Sequence, residues 1–271
     1  MHPIAILHGA IAEAVTEPAS KGAALSELSA AGAVFATGMV QRGRRHISAA
    51  LAVCGLIFAF AALTIQVHDN GWLTGADQPS HDWFVAHRTH WMDIAALVIT
   101  DLGSPTGTVI IALVLGALLS WRARSALPVI VMVSTVGVAA AASTTMKLVV
   151  GRSRPPVTTQ QILETDYSFP SGHVTATSAM LGIAVAVLMI GRSTRVRAVL
   201  VTMAVLLVAL IAATRLYLGV HWLTDVIAGA ILGTIFATIG ASVLYALGTP
   251  VAWIAEAGRP DTGDRESSRR W

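Results

Sequence analysis

The sequence predicts an all-α membrane protein, a bundle of six transmembrane helices with both termini in the cytoplasm. Three observations predict it. Of 271 residues, 55% are hydrophobic and 12% charged, about half the ~25% charged share of an ordinary soluble protein. The apolar residues gather in runs of the ~20 residues that a helix needs to cross the hydrocarbon of a bilayer. The basic residues fall mostly in alternate gaps between those runs. Eighteen Lys and Arg with fifteen Asp and Glu are too few to coat a water-facing globule of this size. That excludes a cytosolic enzyme or a disordered protein. A net charge of only +3, carried in loops and not in one stripe, excludes a nucleic-acid binder.

Residues 1–46 read as a cytoplasmic or interfacial lead. Their Ala-rich composition suggests a signal peptide, but no basic cluster precedes the apolar part, and Glu13, Glu17 and Glu27 interrupt it. Met39, just before Arg42, is an alternative start. Residues 47–247 form the expected membrane domain. Its first span, 47–67, carries no charge and holds the single cysteine, Cys54, which can form no internal disulfide and is expected to be buried and inert. The run 93–121 is broken by Asp101 and Gly103-Ser104-Pro105. Proline disfavours helix in the residue before it, so a short entry helix is expected, then a second span over 105–121. Spans three to six are expected over 126–147, 173–190, 198–215 and 222–245. Residues 248–271 form a polar cytoplasmic tail without the apolar content to fold.

Orientation follows from the bases. With the lead inside, thirteen of the eighteen lie in cytoplasmic segments, leaving Arg88, Lys147, Arg152, Arg154 and Arg215 outside. The positive-inside bias thus places both termini in the cytoplasm. Trp72, Trp83, Trp91, Tyr167, Tyr217 and Trp222 fall near the outer ends, as an aromatic belt would.

Ionisable residues at membrane depth are costly and usually functional. Lys147 closes span three, with Arg152 and Arg154 directly after it. His173 opens span four. Arg215 closes span five, and His221 and Asp225 open span six. Antiparallel crossings bring all four helix ends to the outer face. Four-residue steps from His221 give Asp225, Gly229, Gly233, Ala237 and Ala241, a face of small residues suited to close packing in lipid. His221 and Asp225 should therefore point into the bundle. Lys147 or Arg215 alone would read as a snorkelling anchor; the set together reads as a site.

Three fixed cations, Lys147, Arg154 and Arg215, repel one another in a partly dry pocket unless an anion sits among them. Arginine forks match phosphate oxygens and lysine adds a point charge. Pro170-Ser171-Gly172-His173 leads a loop into a helix, whose N-terminal N–H groups favour an anion. The pocket reads as a phosphate site. His221, with Asp225 fixing its tautomer, can attack phosphorus, and His173 can act as general acid. Asp225 is expected to raise the pKa of His221, and the cations to lower that of His173.

Lys147-Leu-Val-Val-Gly-Arg-Ser-Arg154-Pro155, then Pro170-Ser171-Gly172-His173, then Arg215 with His221 six residues on and Asp225 four further resemble the three signature motifs of the type 2 phosphatidic acid phosphatase superfamily. That superfamily also contains the vanadium haloperoxidases. The resemblance covers residues 47–245, and Thr214 departs from the serine usual there while keeping a hydroxyl. It implies a metal-independent phosphatase without cofactor, acting through a phosphohistidine. His221 would be the nucleophile, Asp225 its partner and His173 the acid and later base. Lys147, Arg154, Arg215 and the Ser171 and Gly172 backbone would hold the phosphoryl oxygens. Arg152, at a variable position of the first motif, is expected to snorkel or meet a headgroup.

Only fourteen residues, 156–169, separate the first two motifs, leaving no room for a lid domain. The expected substrate is therefore a lipid phosphate or pyrophosphate entering sideways from the outer leaflet of a plasma or bacterial inner membrane. Polyprenyl pyrophosphate leads, with phosphatidic acid, diacylglycerol pyrophosphate, phosphatidylglycerol phosphate and lipid A open. The competing readings are a lipid-binding protein or transporter without hydrolase activity, a vanadate peroxidase, and a metal site on His173, His221 and Asp225 or on His68, His81, His87 and His90. A transporter predicts charges at mid-membrane depth; here they gather at one end, and adjoining cations would repel a divalent ion. The sequence leaves the oligomeric state open.

Overall fold

The computed structural model describes residues 47–247 together with the isolated positions Ser29 and Gly32. The expected N-terminal lead and C-terminal tail otherwise lie outside the described residues. The chain divides into two compact units, Met1–Leu51 and Ala52–Trp271. In the first, the described residues are all helical.

The described residues form helices and no strand, as the sequence predicts, with eight α-helices: α1 (Ile47–His68), α2 (Asp77–Ala86), α3 (His90–Leu102), α4 (Pro105–Ala123), α5 (Leu127–Val150), α6 (Gly172–Leu188), α7 (Thr194–Tyr217) and α8 (Leu223–Ala246). Five of them, α1, α4, α5, α7 and α8, are long and apolar enough to cross a membrane. The fourth expected span is α6, which has 17 residues and so a length of about 26 Å, short of the ~30 Å hydrocarbon thickness. Its first turn is given over to the site.

Local chemistry sets the helix ends. The Ser104 hydroxyl accepts from the Gly107 N–H at 2.9 Å with Pro105 at the first helical position, which separates α3 from α4 as the Gly-Ser-Pro break foretells. α5 stops at Gly151, whose φ of +63° is left-handed, and the Gly151 N–H donates back to the Lys147 carbonyl at 2.9 Å. This turn places Lys147 in the last turn of α5 and sends Arg152 and Arg154 back over the helix ends. α7 ends beside the segment that joins α2 and α3. The Arg88 guanidinium donates to the Tyr217 carbonyl, and the Tyr217 hydroxyl donates to Asp93 at 2.6 Å. Tyr217 is therefore buried, a correction to its expected place in the aromatic belt; Trp72, Trp83, Trp91 and Tyr167 are exposed.

The centre of the second unit is α6 against α8. A Cβ on Gly229 would come within 2.7 Å of the Ser171 carbonyl, and one on Gly233 within 2.3 Å of the Thr175 carbonyl. The small face read from the sequence is thus the contact face, and it lets the backbones approach closely. At the other extreme, only 6% of the apolar window of α7 and 11% of that of α1 are buried in protein. Apolar residues on such helices face outward, where lipid replaces the protein core. Cys54 is exposed for that reason, against the expected burial.

Candidate active site

The motif residues converge at the ends of α5, α6, α7 and α8 and in the connection between α5 and α6. Arg215 is 1% exposed, and one arm of its guanidinium donates to the Thr100 hydroxyl of α3 at 3.1 Å. Its other arm meets Glu164. Lys147 Nζ donates to Asp166 Oδ2 at 2.6 Å and to the Tyr167 carbonyl at 2.7 Å. Arg154 pairs with Asp166, donates to the Val220 carbonyl at 2.6 Å, and lies 3.6 Å from Glu164. All three cations expected to hold an anion therefore do hold anions. These are the two carboxylates of the segment joining the first and second motifs. Burial alone would raise the Asp166 carboxyl, but hydrogen bonds and charge from Lys147 and Arg154 outweigh it and hold it at about 2.

His221 is buried in the turn before α8. One ring nitrogen, Nδ1, faces Asp225 Oδ2 at a long 3.4 Å, and the other, Nε2, lies 3.2 Å from an Arg154 Nη1. A guanidinium only donates, so Nε2 carries the lone pair and Nδ1 the proton. Burial, then Arg215, Arg154 and Lys147, hold the imidazole well below the ordinary histidine value. The expected rise through Asp225 does not occur, because that carboxylate is engaged elsewhere: Oδ1 accepts from Arg152 at 2.5 Å and Oδ2 from the Trp222 N–H at 2.9 Å. His173 is half-buried at the second position of α6, within electrostatic reach of Arg215, His221, Lys147 and Arg154.

At the start of α6, the Ser171 N–H donates to the Asp225 carbonyl at 3.0 Å, so it ties α6 to α8 and is not free for an anion. The Ser171 hydroxyl, the Ser143 hydroxyl and Arg215 Nε are buried without a protein hydrogen-bond partner. Thr214 donates to the Ile211 carbonyl at 2.7 Å, within its own helix. Among the described residues no group of three or more His, Cys, Asp and Glu is placed to hold a metal ion. The histidines of α2 and the turn after it have separate partners: His81 meets Thr159, and His87 meets the Trp83 carbonyl.

Arg152 departs from its expected role. It neither snorkels nor faces a headgroup but joins Asp225, Asp77 and Thr224 in a buried cluster. Sequence reasoning missed Asp77, Glu164 and Asp166. The two acids lie within ten residues of the second motif, which is a usable signal; Asp77 is an isolated acid with none.

Residues 126–248 match the family model described as the PAP2 superfamily, which bears out the resemblance carried by the three motifs. No curated protein sequence matches the chain. Among solved structures, the chain resembles the first transmembrane PAP2 type phosphatidylglycerolphosphate phosphatase from Bacillus subtilis. The TM-score is 0.66 at 22% identity over 72% of this chain and 96% of that one. It is also similar to Aquifex aeolicus LpxE, with a TM-score of 0.44 and 25% identity over 61% of this chain and 94% of that one. The first likeness gives the fold, and with five apolar helices it makes this a multi-pass membrane protein.

Proposed function

We propose that this chain, whose residues 126–248 carry the PAP2 superfamily pattern, is a membrane phosphatase that hydrolyses a lipid phosphate or pyrophosphate through a phosphohistidine. The observation that carries the reading is the contact of Arg154 with His221 Nε2 at 3.2 Å. It puts an unprotonated nucleophilic nitrogen against a cation of the anion-holding set. His221 Nε2 attacks phosphorus in line, the bond to the leaving oxygen breaks, and His173 protonates that oxygen. His173 then takes a proton from water, whose oxygen attacks the phosphohistidine and releases inorganic phosphate. The Asp225 carboxylate accepts the hydrogen bond from the Nδ1–H throughout, and the proton stays on the ring. Lys147, Arg154, Arg215 and Gly172 hold the phosphoryl oxygens, with the unpartnered Ser171 hydroxyl replacing its backbone N–H. No metal enters the scheme.

The phosphate dianion takes the place of Glu164 and Asp166, two negative charges for two. Exposure supports this for Asp166, whose side chain is 55% open; Glu164, 26% open and paired with the buried Arg215, can leave only as the phosphate takes over its charge. Polyprenyl pyrophosphate or a phosphatidic-acid-class lipid is the substrate, met on the extracytoplasmic side of a six-span bundle with both termini inside, as the distribution of bases supports. The test is phosphate release by purified protein from a panel of lipid monophosphates and pyrophosphates. His221→Ala should insert and fold but release none; release at the wild-type rate would exclude the scheme. A non-hydrolytic lipid binder would bind the panel and release nothing.

A further inference from the structure

We propose that Asp77 and Arg152 are positioning residues that hold the Asp225–His221 pair from behind. The proposal rests on the phosphohistidine reading above and adds to it two residues outside the motif roles. Asp225 is fully buried, and a carboxylate so placed is costly without a cation. His221 does not supply it, being neutral and at a long 3.4 Å. Arg152 does. Its Nη1 donates to Asp225 Oδ1 at 2.5 Å and to the Thr224 hydroxyl at 2.7 Å, and its Nη2 donates to Asp77 Oδ2 at 2.6 Å. The guanidinium also lies over the Trp222 ring, 5.7 Å from its centroid.

Asp77 completes the device from α2, far away in sequence. It is 5% exposed. Oδ1 accepts the Thr224 N–H at 2.9 Å, and Oδ2 accepts the Thr224 hydroxyl at 2.8 Å as well as Arg152. The Thr224 N–H belongs to the first turn of α8 and has no partner within that helix. Asp77 therefore does two things at once. It caps the helix that presents Asp225, and it fixes the rotamer of the arginine that neutralises Asp225. The links run Asp77, Arg152, Asp225, His221, and the last is the weakest. Its 3.4 Å length means the imidazole is oriented only as well as Asp225 is held.

The test uses full-length protein in detergent with dioctanoyl phosphatidic acid, or whichever panel lipid the wild type hydrolyses fastest. Asp77→Asn keeps an acceptor for the Thr224 N–H but cannot hold Arg152. Asp77→Asn and Arg152→Gln should each lower kcat by about 10–100-fold, the order that a small misplacement of a reacting group costs. KM and inhibition by inorganic phosphate should stay near wild type, and the double variant should be no worse than the poorer single one. A kcat within threefold of wild type, a loss carried by KM, or losses that multiply would overturn the proposal. Should Asp77→Asn fail to fold, Arg152→Lys is read in the same way, since an ammonium cannot span both carboxylates; wild-type kcat there also overturns it. His221→Ala separates the two claims. If it remains active, or if no panel lipid is hydrolysed, the underlying reading falls and this one with it. If it is inactive while Asp77→Asn is unimpaired, only the positioning role falls.

Discussion

Arg152 and Arg154 stand two residues apart on one turn, yet they sit on opposite sides of His221. Arg152 lies behind it, bound to Asp77 and Asp225, whose side chains are 6% and 0% exposed. Arg154 lies in front, bound to Asp166 and near Glu164, which are 55% and 26% exposed. Both arginines are paired, so the existence of an ion pair does not separate them. The exposure of the partner does. A buried carboxylate has no better place to go, and its pair is a fixture. An exposed carboxylate exchanges water for protein at small net gain, so it can give way to a phosphate.

That contrast can be broken in order of effect. Arg154→Ala and Arg215→Ala should each lower kcat/KM by about 100-fold or more, the scale of losing one transition-state contact to developing charge. They should also weaken inhibition by inorganic phosphate or vanadate; steady-state kinetics with either inhibitor checks both. If instead Arg152→Gln weakens phosphate inhibition as much as Arg154→Gln does, front and back are not distinct. A smaller effect tests exchange directly. Asp166→Asn removes a competitor for the cradle, so phosphate should inhibit several-fold more tightly, on the order of one weak exposed ion pair. Looser inhibition would make Asp166 part of the binding site instead.

Two pH effects follow. Because burial and the cations hold His221 well below its ordinary value of about 6.5, it stays neutral through the neutral range. The acid limb of kcat/KM attributable to it should fall below that value, and moving the limb up requires neutralising a cation. Asp166 is depressed to about 2 in the folded chain. Its contribution to stability is therefore present above the ordinary carboxylate pKa and is lost as pH falls toward 2. Thermal unfolding of Asp166→Asn should show a flatter acid dependence than wild type. The smallest effect expected is none: EDTA should leave turnover unchanged, and loss restored by one divalent ion would favour a metal mechanism.

How legible this was depends on whether a residue carries a pattern. Lys147, Arg154, His173, Arg215, His221 and Asp225 are ionisable groups at the ends of apolar runs, an improbable place for charge, and their spacing repeats a known set. The small face of α8 was equally readable, since four-residue steps need no partner to be seen. Ion partners are different. Nothing in the sequence joins Asp77 to Arg152 across 75 positions, and a lone acid in a polar segment looks like solvation. Glu164 and Asp166 are in plain view in the sequence, but a cluster of cations looks the same whether its anion is a ligand or a carboxylate of its own chain. Cys54 and Tyr217 show the same limit from the other side: in a membrane protein an apolar run does not mean burial, and an aromatic at a helix end does not mean an interface.

The central claim is that the nucleophile is His221, and a trapping experiment tests it most directly. Purified wild type mixed with lipid substrate labelled in the scissile phosphate and quenched in alkali should carry a covalent label that is stable to base and released by acid, as a phosphohistidine is. His221→Ala, folded and at equal concentration, should carry none. Label of equal yield on that variant, or label mapped to another residue of the wild type, would contradict the account.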